Sequence, residues 1–355
     1  MELFQPNDLS LAHPTFVPVD DVALRSEIRS ALGHYKDGDR AEAIERFAGS
    51  SPITRNYRVR LPGRLLLLKS REGAFEERRL LREVALAEGL LAKGIPVPRL
   101  VRTNDHAPLV TQGETRWVAH VFEEGSYFGG TVEELRAAAE GFARLTRAAN
   151  EDRRLDVPEV AESRFFSDLE PLLSMPWDGP DEFLCREAPM ILATLNAVRA
   201  RRAEVESTVV LVHTDFHPLN FLVDAGRLQC ILDMEDIEPY PLLAAVGFAS
   251  YKLVRQMWIR PEIRAANASE TVIGHWLDGW HAVLPERRYS VEELGLGARY
   301  RVLALIHLIL DHARRGVSGF LYDLEKQVMS LHEIDVLYGP AATPQIHTAV
   351  SARSR

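Results

Sequence analysis

HTDFHPLN, His213 to Asn220, and ILDMED, Ile231 to Asp236, decide how this chain is read. Both are mostly polar, yet apolar, β-rich runs bracket them at 209–212, 221–223 and 230–232. A polar loop held between buried strands is a rigid place for chemistry. It offers carboxylates at Asp215 and Asp233 and an amide at Asn220, with His213 and His217 interleaved. One carboxylate can take the proton of an attacking hydroxyl, while an amide oxygen and a second carboxylate are hard ligands suited to Mg²⁺ bridging nucleotide phosphates. The set points to phosphoryl transfer. Zinc held by His213, Asp215 and His217 is the rival chemistry, but Pro218 and the Asp-Ala-Gly turn at 224–226 favour a loop over the strand that such spacing needs.

Composition narrows the partners. With 355 residues, 46% hydrophobic and 26% charged, the chain is long enough for two lobes with a substantial core. A formal charge of −9 leaves no basic footprint for nucleic acid and disfavours an anionic membrane surface. Cys185 and Cys230 alone make neither a disulfide framework nor a cysteine zinc site, so a reducing cytoplasm is the expected home. No basic leader with an apolar core opens the sequence, and no run approaches membrane-spanning length.

Outward from the motif, periodicity sketches the elements. Residues 22–47 read as two short amphipathic helices broken near 37–39. Strands at 57–61 and 65–68 meet at Pro62-Gly63, the second ending at Lys69; on residue type alone that lysine is a solvated strand end. Leu80, Val84, Ala87 and Leu91 give the next helix its stripe, and Gly94 stops it. Two strands follow, ending at Phe122 before Glu123-Glu124-Gly125. Thr131 and Glu134, and later Ser290 and Glu293, form capping boxes of long helices. Residues 152–189, rich in proline, read as irregular, with Phe165, Phe166 and Trp177 exposed. Glu235, Asp236 and Glu238 read as an acidic loop able to line a pocket for a hydroxylated or cationic substrate, or simply as solvated charge. From Trp258 to Tyr338 the chain is helical, and 340–355 reads as a disordered tail.

His213, Asp215 and Asn220, with Asp233 thirteen residues further on, resemble the catalytic core of the protein-kinase-like superfamily, and most closely its aminoglycoside and choline phosphotransferase branch. His217 in place of the usual lysine, and Asp-Met-Glu in place of Asp-Phe-Gly, favour that small-molecule branch. The resemblance covers about residues 50–255. It implies a two-lobed α+β fold: a small β-rich nucleotide-binding lobe at 1–122, with the helical prefix about 20–47, and a larger, mainly helical catalytic and substrate lobe at 123–339.

Roles follow from the resemblance. Asp215 would be the catalytic base; His217 would either stabilise charge on the transferred phosphoryl group or shape the loop; Asn220 and Asp233 would hold Mg²⁺. Lys69 would contact the phosphates of ATP, and Glu83, eleven residues before Gly94, would pair with it. Val121, Phe122 and Glu123 would meet the adenine through their backbone, and Ser51 would stand in for the missing Gly-rich loop. Glu235 and Asp236 are the candidate substrate residues. The implied activity is Mg²⁺- and ATP-dependent phosphorylation of a hydroxyl on a small molecule, a sugar, aminosugar or aminoglycoside-like compound. The alternatives are an amino-alcohol kinase of the choline or homoserine type and a non-catalytic nucleotide-binding regulator.

Overall fold

The computed structural model describes residues 15–48, 54–72, 75–151, 164–177, 181–317 and 321–339. In chain order the first half runs β1 (Phe16–Pro18), α1 (Val22–Leu32), β2 (Ala43–Phe47), β3 (Thr54–Leu61), β4 (Arg64–Glu72), α2 (Phe75–Ala92), β5 (Leu100–Val101), β6 (Val110–Gln112), β7 (Thr115–Val121) and α3 (Val132–Glu151). The second half runs α4 (Phe165–Leu173), α5 (Asp181–Ala200), α6 (Arg202–Val205), β8 (Val209–His213), β9 (Phe221–Asp224), β10 (Arg227–Ile231), β11 (Ile237–Pro241), α7 (Leu242–Trp258), α8 (Pro261–Ala265), α9 (Ser269–Val283), α10 (Val291–Arg314) and α11 (Leu324–Tyr338). Two compact units result. One holds the described residues up to Glu151 together with Pro218–Asp236; the other holds those from 164 to His217 together with Ile237 onward.

In the first unit an antiparallel sheet runs β1-β2-β3-β4-β7-β5, with β6 also on β7. Paired residues share a face, and faces alternate along a strand. Tyr57, Leu68 and Ala119 therefore lie on one side, where they join Ile28, Leu32 and Tyr35 of the α1 region in a buried core. The other side carries Lys69 opposite Val118, with Leu80 and Val84 of α2 against Val118. Thr131 and Glu134 close the expected capping box at the start of α3. Farther along α3, a Cβ on Gly141 would fall 2.0 Å from a Leu228 methyl carbon, so the Leu228 side chain of β10 packs directly on this glycine.

The second unit is helical around one short ribbon, β8 paired with β11. Helices α7 and α10 cross with backbones nearly touching: a Cβ on Gly247 would meet Leu294 O at 2.3 Å, and one on Gly297 would meet Leu243 O at 2.1 Å. Ser290 and Glu293 form the capping box that opens α10. Arg255 of α7 and Glu333 of α11 make a buried, two-pronged ion pair at 2.5 and 3.0 Å, which Tyr251 Oη joins.

Three expectations need correction. The second helix of the prefix is strand β2, because Ile44 alternates into the core while the segment bonds to β3 in register. The proline-rich stretch contains helices α4 and α5, each with an internal proline, and Phe165, Phe166 and Trp177 are buried. The acidic run after Asp233 is a single 3₁₀ turn and then β11, which pairs Ile237 with His213 and Glu238 with Val212. The terminal arm, the 340–355 tail and Ser51 fall outside the described residues.

Candidate active site

Hairpin β9–β10 carries the two expected oxygen ligands of the first unit. Its two-residue turn, Ala225 and Gly226, has positive φ at both positions (47° and 75°), the geometry that matches the twist of paired strands. The register sets Phe221 against Ile231, and Leu232 N–H donates to Asn220 O at 2.8 Å. Asn220 and Asp233 thereby flank the open end of one hairpin, Asn220 almost wholly buried. Asp233 itself has φ +52°, a conformation uncommon outside glycine, which turns the chain so that Asp236 N–H donates to Asp233 O at 3.1 Å.

Facing this hairpin within the same unit is Lys69, whose Nζ donates to Asp233 Oδ1 at 2.9 Å and lies 3.8 Å from Glu235. Burial alone would push the ammonium's pKa down, but the carboxylates of Asp233 and Glu83 outweigh burial and raise it. Arg71, two residues on along the same face of β4, pairs with Glu235 and stands 3.6 Å from Glu83. Glu83 is thus a buried carboxylate of α2 whose direct partner is Arg71, and it acts on Lys69 through its field. Glu235 belongs to this same network, and Asp236 sits in the 3₁₀ turn beside it.

Strand β7 ends at Val121, where Val121 N–H donates to Arg99 O at 2.8 Å and Phe122 N–H to Leu65 O at 3.1 Å, while Glu123 accepts from the Arg99 side chain at 3.3 Å. His120, buried on the Lys69 face of β7, had no signal in the sequence. Burial and the neighbouring Lys69 and Arg71 hold its pKa at about 3, so it is neutral.

Asp215 and His217 belong to the second unit. His213 ends β8 fully buried, and its Nδ1 accepts the Asp215 N–H at 3.3 Å, which pins the backbone that carries the carboxylate. His217 Nε2 lies 3.5 Å from Asp215 Oδ2. Burial pushes the Asp215 carboxyl up, but His217, Arg301 and Lys252 outweigh it and hold it well below the usual carboxylate range. The group is therefore ionised and able to accept a proton, and its side chain keeps 38% exposure for an incoming hydroxyl.

Arg301 and Lys252 are functional candidates that sequence reading passed over. Arg301, one turn beyond Gly297 on α10, donates from Nε to Thr214 O at 3.2 Å, with its guanidinium 5.1 Å from the Tyr240 ring centre. Lys252, five residues beyond Gly247 on α7, sets its ammonium 4.9 Å from the Phe248 centre and 5.3 Å from Tyr251. The glycine crossing of the two helices fixes these cations relative to each other. Glu238, once a candidate pocket acid, accepts from Thr214 Oγ1 at 3.3 Å.

An antiparallel-sheet lobe followed by a helical part is the architecture of the kinase-like class. A profile of the phosphotransferase enzyme family, APH, matches residues 45–285, and the chain belongs to that family: it is a phosphotransferase with an alcohol group as acceptor. Among solved structures it is similar to an amicoumacin kinase, hAmiN, crystallised with AMP-PNP, Ca²⁺ and amicoumacin (12% identity, 89% of this chain and 95% of that one, TM-score 0.62). It is also similar to spectinomycin phosphotransferase APH(9)-Ia with ADP and spectinomycin (12%, 90% and 98%, 0.63) and to a microcompartment-associated aminopropanol kinase (15%, 88% and 95%, 0.58). At these identities the likeness speaks for the fold. No curated protein sequence matches the chain.

Proposed function

We propose that this protein is an ATP- and Mg²⁺-dependent kinase that transfers the γ-phosphoryl group to a hydroxyl of a sugar-like small molecule. The observation that carries the reading is the ionised Asp215, its backbone pinned by His213, five residues before an amide-carboxylate pair held by one hairpin. Asp215 accepts or orients the hydroxyl proton, and His217 faces the group in transfer.

Asn220 and Asp233 would hold the metal. The donor set is all oxygen and suits a hard divalent cation, and Asp233, 37% exposed, keeps a face open beyond its bond to Lys69. A bound Mg²⁺ would neutralise phosphate charge, and Lys69 would add a fixed ammonium beside it. Val121, Phe122 and Glu123 would meet the purine by position, and Ser51 would supply a phosphate donor. Nucleotides in the structures of similar fold, AMP-PNP and ADP, support a nucleotide as donor. A nucleotide lobe of 1–122, a substrate lobe of 123–339 and a cytoplasmic location complete the reading; among the described residues no helix is long and apolar enough to cross a membrane.

Sugars, aminosugars and aminoglycoside-like compounds are the acceptors proposed first. Amino alcohols come next, supported by the likeness to an aminopropanol kinase. The test is Asp215→Ala. ADP release over a panel of these acceptors should fall by about 10³-fold or more while nucleotide affinity is kept. Unchanged turnover would end the assignment.

A further inference from the structure

Lys252 is the cation that the proposed chemistry leaves unused. Its ammonium rests against the faces of Phe248 and Tyr251, and among the described residues no carboxylate lies within ion-pair distance of it. Every other charge around it has a partner. Arg255 is bound by Glu333 on α11, and Lys326 of the same helix is 3.7 Å from Asp323. Arg301 shares the Phe248 ring, 6.0 Å from its centre, and is fixed to Thr214 O beside Asp215. Lys252 is only partly exposed, so water cannot fully solvate it, and it is not sealed off either. Burial, Lys326 and Arg255 lower its pKa to about 8 against the opposing fields of Asp215 and Glu333, so those carboxylates only partly offset the cost of holding the charge here.

A cation within the field of a catalytic base, with no carboxylate at ion-pair distance among the described residues and its charge only partly offset, is placed to receive an anion. Of the acids that might have drawn a polycationic acceptor, Glu235 is neutralised by Arg71 and Lys69, and Glu238 is held by the Thr214 hydroxyl. We infer that Lys252 is an acceptor-binding residue, and that the acceptor carries an anionic group, a carboxylate or a phosphate, which its ammonium receives beside Asp215. This inference rests on the kinase reading above and narrows its acceptor to hydroxy acids or phosphorylated polyols. Polycationic aminoglycosides drop out.

The experiment pairs each acid with its neutral counterpart: glycerate and glycerol 3-phosphate with glycerol, gluconate with sorbitol, and kanamycin as the polycation. Calorimetric affinity and ADP release are measured on the full chain with bound nucleotide. At least one acid should bind about tenfold tighter than its alcohol, and its KM should be lower by a similar factor. In Lys252→Met that ratio should fall towards one, mainly through KM, and in Lys252→Arg most of it should return. The melting temperature of Lys252→Met should be no lower than that of the parent, which separates lost binding from lost folding. The inference is overturned if no acid outbinds its alcohol, if kanamycin binds best, or if Lys252→Met lowers kcat equally for both members of a pair, since the lysine would then serve the phosphoryl group in transfer. The two readings fail separately. A preference for acids without ADP release leaves the anion site and removes the kinase; ADP release without the preference does the reverse.

Discussion

Two lysines make the informative comparison. Lys69 and Lys252 are both withdrawn from water, one on a strand of the sheet unit and one on a helix of the helical unit. Lys69 is met by Asp233 at 2.9 Å, lies 3.8 Å from Glu235, and the carboxylates of Asp233 and Glu83 raise its pKa against burial. Lys252 is met by two aromatic faces, and its pKa falls to about 8. The same residue type moves in opposite directions because Lys69 has a carboxylate at bonding distance, whereas the fields of Asp215 and Glu333 on Lys252 do not outweigh burial, Lys326 and Arg255. Lys69 is part of a preformed, balanced network, whereas the charge balance of Lys252 is left for something that binds.

The largest effect expected from disturbing the balanced side is on activity. Lys69→Met removes the cation that orients Asp233 and leaves Asp233 and Glu235 without the ammonium between them, with Arg71 on Glu235. Like charges so placed repel, and a developing phosphate charge loses its fixed ammonium. Turnover by ADP release should fall about 10²- to 10³-fold, and Lys69→Arg should recover little, because a planar fork does not replace a point charge in this space. Wild-type turnover in Lys69→Met would show the network to be structural.

A smaller effect tests what positions the unpaired side. Gly297→Ala drives a methyl group into Leu243 O across the α7–α10 crossing, and backbone, unlike a side-chain tip, cannot step aside. The expected loss is about 2–3 kcal/mol in chemical denaturation. If the crossing holds Lys252 and Arg301 in place, the acceptor KM should rise along with the loss of stability. A stability loss with unaltered KM would uncouple them.

The same contrast explains what the sequence could disclose. The loop at 213–220 and the hairpin that follows were readable because their chemistry is carried by close neighbours in sequence, and the turn at Ala225-Gly226 sets the register locally. Lys69 was readable as a strand lysine before a helix, although β4 runs three residues past it to Glu72, so its place in the middle of a paired strand was not. Lys252 and Arg301 were not, because each sits on a helix with no motif around it, and only the crossing at Gly247 and Gly297 brings them together. Strand β11 was hidden for a related reason: I-E-P-Y-P holds two prolines and an acid, and its strand character comes from pairing with β8, distant in sequence. Likewise α4 and α5 were masked by internal prolines, although Phe165, Phe166 and Leu169 already lie on one helical face. Glu83 was placed on the correct helix, but its direct partner, Arg71, is set by the pairing of strands and could not be inferred from spacing.

The smallest predicted effect separates the two lysines most sharply, through pH. Lys69 has a raised pKa, so the stability it contributes is whole at neutral pH and is lost only as pH climbs through its folded value, above the ordinary 10.5. Lys252 has a lowered one, so its sign is reversed. Between about 8 and 10.5 the unfolded chain binds the proton that the folded chain has released, and stability from this group rises with pH. Below 8 the whole penalty remains. Replacing the ammonium by a methyl-terminated chain of similar length should therefore stabilise the protein at pH 7, by about 1–2 kcal/mol once the partial exposure of the site is allowed for. Measured as the difference between Lys252→Met and wild type, in which titrations not coupled to Lys252 cancel, the gain should shrink from pH 8 upward and be nearly gone by pH 10.5. A gain independent of pH would mean better packing in place of relieved charge, and a loss at pH 7 would mean that Lys252 has a counter-ion after all.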